Sequence, residues 1–245
     1  MKIIAERGYI IPAFNSADRD YVACAEQLKF SIREWHADAN ITILTIDDLP
    51  YGDHGGQAND WQMFYASPYR QTIKLEADMW CASPIDHWWT LFESHDVVIS
   101  QGARDYYDKL SNTRHYRQLF DRNRLADVYN AITYWRLSNT AKEFFDLVRL
   151  IFENWEDYKT LLIMPDDEPT TDVVYAIAAQ IMGPEKLTLP TGIGPNIVHM
   201  KKHICRLRGE DWTKELIWER TYPGLRINTV AQYGLVHYHT KDWRA

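Results

Sequence analysis

The chain reads as a single α/β domain built on a mixed, mainly parallel central sheet with helices on its faces, and three observations lead there. Short β-branched apolar runs alternate with longer amphipathic stretches of helical period. The 245 residues are 46% apolar, which suits one sizeable core better than two. No Pro/Gly-rich linker, internal repeat or low-complexity tract divides the chain, so residues 1–245 are expected to fold as one unit.

Tyr9-Ile10-Ile11-Pro12-Ala13-Phe14, closed by Asn15-Ser16, predicts the first strand. After Asp18, Val22, Ala25, Leu28, Phe30 and Ile32 recur at near-helical spacing, and Ile41 to Ile46 is a buried β-branched run ending at Asp47-Asp48. The first fifty residues therefore form a βαβ unit. Pro50, Gly52, Gly55, Gly56 and Asn59 mark a loop, Gln71 to Leu75 a strand, and Pro84 to Phe92 a helix. Strands follow at Asp96 to Ser100 and Val128 to Leu137, then helices at Ala141 to Trp155 and Thr171 to Met182. Ligands of such sheets gather outside the carboxyl ends of the strands, which brings Phe14-Asn15, Asp47-Asp48 and Glu76–Asp78 towards one rim.

Composition narrows the class. The net charge of −7 argues against binding nucleic acid with the whole surface, although local basic patches are compatible with it. No run approaches the roughly 20 apolar residues of a membrane span, and Met1 to Arg7 lacks the apolar core of a signal peptide, so a cytoplasmic protein is expected. Cys24, Cys81 and Cys205 are odd in number and far apart, which fits reduced core residues rather than a disulfide framework or a zinc knuckle. Ten Trp and fifteen Tyr supply the core, with two or three available to stack on a base or a sugar.

Lys74-Leu75-Glu76-Ala77-Asp78 is the most informative run. Carboxylates at i and i+2 of an extended strand end point to the same side, where they can hold one hard divalent cation whose open positions take diphosphate oxygens. With its flanks, Ser67 to Asp78 and then Ser83-Pro84-Ile85-Asp86, this segment resembles the Asp-x-Asp region of nucleotide-sugar glycosyltransferases of the GT-A fold. Glu76 stands where the first Asp is usual. Val128 to Leu137 is similar to the Asn-bearing strand of the retaining family that includes glycogenin and the lipopolysaccharide galactosyltransferases. That resemblance implies donor-sugar contacts for Asn130 and Ala131, with Ile132 in place of a Gly. Asp166-Asp167-Glu168-Pro169-Thr170-Thr171-Asp172 opens a helix, where Thr170 or Thr171 is a sound N-cap and acidic residues suit the dipole. The resemblance gives Asp172, and after it Glu168, a catalytic or sugar-binding role. Leu235 to Trp243 resembles the closing motif of the same family, in which a His ligates the metal and a Lys binds the diphosphate. These roles fall to His237 and Lys241, with His239 as an alternative ligand on the same face of an extended segment.

Together these features imply a glycosyltransferase in which Mn²⁺ or Mg²⁺ is held by Glu76, Asp78 and His237 or His239. Lys74 and Lys241 face the diphosphate, and the nucleotide lies against Pro12, Ala13, Phe14 and Asn15. Retention of configuration is what the family implies. Residues 102–124 carry six basic against three acidic side chains among Tyr106, Tyr107 and Tyr116, so Arg114, Arg117 and Arg122 are expected to grip a phosphate-bearing acceptor. The chain also looks like bacteriophage-encoded glycosyltransferases. One acceptor that this allows is a hydroxymethylated base in DNA, with the protein then acting in the host cytoplasm. Glycan- or protein-directed transfer, a sugar nucleotidyltransferase and a non-catalytic nucleotide-sugar-binding module are the alternatives.

Overall fold

A computed structural model of the chain describes residues 2–111, 117–164, 168–190, 192–240 and 243. Arg114, Lys241 and the acidic pair Asp166-Asp167 lie outside the described residues. The strands are β1 (Ala5–Pro12), β2 (Ile41–Leu44), β3 (Tyr69–Leu75), β4 (Met79–Cys81), β5 (Val97–Gln101), β6 (Val128–Arg136), β7 (Ile197–His199), β8 (Trp218–Arg220), β9 (Leu225–Ile227), β10 (Val230–Ala231) and β11 (Leu235–His237). The helices that matter here are α1 (Tyr21–Trp35), α2 (Met63–Ala66), α3 (His87–Phe92), α4 (Gln118–Arg122), α5 (Asn139–Glu153), α6 (Trp155–Leu162) and α7 (Thr171–Met182).

The central sheet has the order β2-β1-β3-β6-β5. β1 runs parallel to β2 and to β3, and β6 is antiparallel to both β3 and β5, so a single reversed strand interrupts an otherwise parallel sheet. The βαβ unit expected over the first fifty residues is present. Its first strand runs earlier than the apolar run suggests, from Ala5, because pairing with β3 starts at Ala5 and Tyr69. Side-chain alternation divides β1 between two cores. Tyr9 and Ile11 face α1 with Cys24, Leu28 and Ile32, whereas Ile10 faces Phe144, Val148 and Tyr175 of α5 and α7. β6 is buried along its whole length except at Arg136, as befits a strand covered on both faces.

The helices begin where the sequence places their caps. Ser138 accepts from the Ala141 amide at the start of α5, whose buried Ala141, Phe144, Phe145, Val148 and Ile151 fall on one helical face. Thr170 accepts from the Val173 amide and so is the cap of α7. The block expected as one helix over 141–155 is two, since Asn154 breaks the hydrogen-bond ladder before α6. Cys24, Cys81 and Cys205 are free and buried. Among the described residues, no helix is long and apolar enough to cross a membrane.

Two three-stranded sheets lie outside the sequence expectation. One has the order β10-β9-β8, and the other, β4-β11-β7, joins the end of the acidic run to the terminal histidine segment. β11 pairs antiparallel with β4, His237 opposite Met79, and parallel with β7, His237 opposite His199. Their strands are three residues long or shorter, too brief for periodicity to reveal.

Candidate active site

Asp78 stands just before β4 and His237 at the last residue of β11, so the β4–β11 pairing alone brings together groups that are 159 positions apart. His237 Nε2 donates to Asp78 Oδ1 at 2.9 Å, and the Tyr238 amide donates to the Asp78 carbonyl at 3.2 Å. Glu76 Oε2 lies 3.3 Å from His237 Nδ1, a buried nitrogen with no hydrogen-bond partner among the described residues. One ligand atom each from Glu76, Asp78 and His237 falls within 4.8 Å of the others. Two carboxylates, one imidazole and a ring nitrogen without a hydrogen bond suit a hard-to-borderline divalent ion such as Mn²⁺.

These groups line a cavity of about 620 Å³ that opens at the carboxyl ends of β1 and β3. Pro12, Phe14 and Tyr21 form one wall, Asn130, Thr171 and Asp172 another, and Lys201 and His239 approach from the β7–β11 side. Arg19 joins them. Its Nη1 donates to Asp78 Oδ2 at 2.8 Å and its Nη2 to the Thr240 carbonyl at 2.9 Å, which ties the α1 turn to the tail of the chain.

The electrostatics follow from crowding in a desolvated place. Burial would raise the Asp78 carboxyl, but His237, His239 and Arg19 outweigh it and hold the group below the usual carboxylate range. Glu76 is pushed up, chiefly by burial, against the pull of His237. Burial would lower the His237 imidazole, yet Asp78 and Glu76 raise it. His239 and His199 lie well below the ordinary imidazole value, through burial and through the neighbouring rings.

A second network supports the floor. Asp60 accepts from Lys74 Nζ at 2.7 and 2.9 Å, from Asn130 Nδ2 at 3.0 Å and from the Tyr175 hydroxyl. Asn130 Oδ1 in turn accepts from Lys74 Nζ and from Thr133 Oγ1, both at 2.9 Å. Lys74 therefore lines the cavity with its ammonium turned to Asp60 and Asn130, where a charge facing the diphosphate was expected. Asp172 is not a helix cap. Its Oδ1 accepts from the Asn130 amide at 2.7 Å and its Oδ2 from Arg117 Nη1 at 3.0 Å, which fastens α7 to β6.

The remaining expected residues divide. Ala13 is buried, and its amide donates to the Leu44 carbonyl. The Asn15 side chain accepts from the Val22 amide. Ala131 is buried and supplies its carbonyl to the Glu76 amide. Glu168 is exposed and outside the cavity lining. Asp48 closes its own turn on Thr45, and neither Asp47 nor Asp48 lines the cavity. Arg117 and Arg122, the two described members of the expected basic grip, do not share a face. Arg117 is 3% exposed, bound to Asp127 and Asp172 and sandwiched between Phe120 and Tyr129, whereas Arg122 is exposed on α4. The burial of Arg117 corrects its expected role as a surface grip for a polyanion.

His239 also differs from expectation. β11 ends at His237, and His239 takes a left-handed backbone, φ 55°, so the chain bends there and the two rings stack at 3.8 Å. Sequence reasoning missed Arg19, Asp60, Tyr175 and His199. A signal existed for His199 alone, because Ile197-Val198-His199 repeats the apolar-apolar-His pattern of Leu235-Val236-His237.

No protein-family model matches the chain, and no curated protein matches it in sequence. Solved structures do resemble it. The apo form of mouse xyloside xylosyltransferase 1 aligns over 96% of this chain and 98% of its own, at 9% identity and a TM-score of 0.52. The galactosyltransferase LgtC, in complex with donor and acceptor sugar analogues, aligns over 97% of this chain and 87% of its own, at 10% identity and a TM-score of 0.51. The bifunctional glycosyltransferase WbbM aligns over 96% of this chain and 46% of its own, at 10% identity and a TM-score of 0.53. With a mainly parallel sheet, one reversed strand and a cavity at the strand ends, the chain has the GT-A fold of these glycosyltransferases.

Proposed function

We propose that the chain is a metal-assisted glycosyltransferase that moves a sugar from a nucleotide-sugar donor to an acceptor hydroxyl. The observation that carries this reading is the set Glu76, Asp78 and His237, brought together at the strand ends of a GT-A fold beside a cavity large enough for a donor. Those three residues would hold Mn²⁺ or Mg²⁺, which when bound supplies Lewis-acid neutralisation of the departing diphosphate.

The rest of the work belongs to the chain. Arg19 orients Asp78 and brings a fixed positive charge to the cavity, and Lys201 brings a second, where charge develops as the sugar–phosphate bond breaks. Lys241 joins them on the strength of its motif. Pro12, Phe14 and Tyr21 offer apolar and aromatic surface to the base. Asp172, fixed by the Asn130 amide and Arg117, is a rigid acceptor for donor-sugar hydroxyls, and the Lys74–Asp60–Tyr175 network keeps Asn130 in place beside it. The likeness of the Asn130 and Asp172 segments to retaining enzymes supports transfer with retention.

The test is thermal stabilisation by nucleoside diphosphates and nucleotide sugars with and without Mn²⁺. Asp78→Asn should abolish the Mn²⁺-dependent part of the stabilisation and the hydrolysis of the matching donor. Mn²⁺ dependence that survives in Asp78→Asn would overturn the reading.

A further inference from the structure

We propose that His199, His237 and His239 form a second, all-imidazole cation site for a borderline transition metal such as Zn²⁺, and that it shares His237 with the carboxylate site, so that the two ions exclude each other. The exclusion rests on the Glu76–Asp78–His237 reading above, whereas the imidazole site does not.

Each ring arrives from a different constraint. Parallel pairing of β7 with β11 sets His199 opposite His237, reinforced by the Met200 amide donating to the His237 carbonyl at 2.9 Å. The left-handed turn at His239 then folds the third ring back over the second. Ring centroids lie 4.9 Å apart for His199 and His237 and 4.3 Å for His199 and His239. One ring nitrogen from each falls within 4.8 Å of the other two.

The Nε2 atoms of His199 and His239 are 3.0 Å apart, close to the roughly 3.3 Å that separates two nitrogens on one tetrahedral Zn²⁺. His199 is 3% exposed, and its Nδ1, like that of His237, is buried without a hydrogen-bond partner among the described residues. An ion between the rings would take the Nε2 lone pairs of His199 and His239, which leaves the proton of each ring on Nδ1. Three imidazoles without a carboxylate favour Zn²⁺, Ni²⁺ or Co²⁺ over Mg²⁺ or Mn²⁺, which prefer oxygen. The ion also withdraws His237 from Asp78 and Glu76, so Zn²⁺ acts as a competitor of Mn²⁺.

The experiment is calorimetric titration of the full chain with Zn²⁺ alone and with Mn²⁺ alone, in the unmodified protein and in His199→Gln, His239→Gln and Asp78→Asn. One Zn²⁺ per chain is expected, weakened at least about tenfold in His199→Gln and in His239→Gln, with Mn²⁺ affinity in His199→Gln kept within about twofold. Co²⁺ in place of Zn²⁺ should give tetrahedral ligand-field absorption in the visible that His199→Gln removes. His239 is the more open position, so its variant keeps the test usable if the buried His199 substitution does not fold. Zn²⁺ affinity that is indifferent to both Gln variants and falls only with Asp78→Asn overturns the proposal. Mn²⁺ binding that ignores Asp78→Asn overturns the exclusion and the carboxylate reading with it, while a His199-dependent Zn²⁺ site stands.

Discussion

Replacing Asp60 by Asn keeps the size of the side chain and removes its charge, at a point where the structure fixes the cost. Lys74 has a side chain 2% exposed, and its ammonium is bound by both Asp60 oxygens, at 2.7 and 2.9 Å, and by Asn130 Oδ1 at 2.9 Å. In Asp60→Asn the one ion-pair partner of that ammonium among the described residues is gone, and the new amide can turn only one oxygen towards Lys74, Asn130 and Tyr175. Leaving a buried charge uncompensated costs about 3–5 kcal/mol. That is a large share of the roughly 5–15 kcal/mol by which a domain is stable. In a chain of 245 residues it corresponds to a fall in Tm of about 6–20 °C. Urea unfolding followed by far-UV circular dichroism gives the free energy, and differential scanning calorimetry the midpoint. Asp60→Asn/Lys74→Met, which removes the stranded charge as well, should recover a substantial part of the stability. Donor affinity should stay low in both variants, because Asn130 loses its support in each. A loss below about 1 kcal/mol in Asp60→Asn, the range of an exposed pair, or a double variant no more stable than the single one, would refute the reasoning.

Asp172→Ala should lower donor hydrolysis sharply through kcat while α7 stays capped by Thr170, and unchanged turnover would confine Asp172 to joining α7 to β6. The metal-free chain should be most stable near neutral pH, with limbs of separate origin. His199 and His239 have depressed pKa values, so their contribution is present above the unfolded value of about 6.5 and is lost as pH falls below it. His237 is raised, so its contribution is present below about 6.5 and is lost as pH rises through its folded value. His199→Gln should flatten the acid limb and His237→Gln the alkaline one in melting curves taken across pH 5.5–8.5. An acid limb unaffected by His199→Gln would show that other groups cause it.

The sequence by itself determined what depends on local pattern. The β-branched runs and helical apolar stripes gave the βαβ start, strands at 71–75, 96–100 and 128–137 and the helix at 171–182, because burial on one or two faces writes periods of 2 and 3.6 into the chain. Glu76, Asp78 and His237 were legible as separate motifs, and the structure places their ligand atoms within 4.8 Å of one another. Whether a polar side chain faces a ligand or a neighbour was not legible. Lys74, Asn130 and Arg117 look alike in sequence as groups awaiting a substrate, yet each is held by a carboxylate from another element: Asp60, from the segment before α2, binds Lys74 and Asn130, and Asp172 of α7 binds Arg117 and the Asn130 amide. The histidine cluster needed β7, β11 and a left-handed residue to meet, in strands too short to leave a period. Only the tertiary structure decided these placements, because the energy of a buried polar group depends on the partners that close around it, and those partners lie far away along the chain.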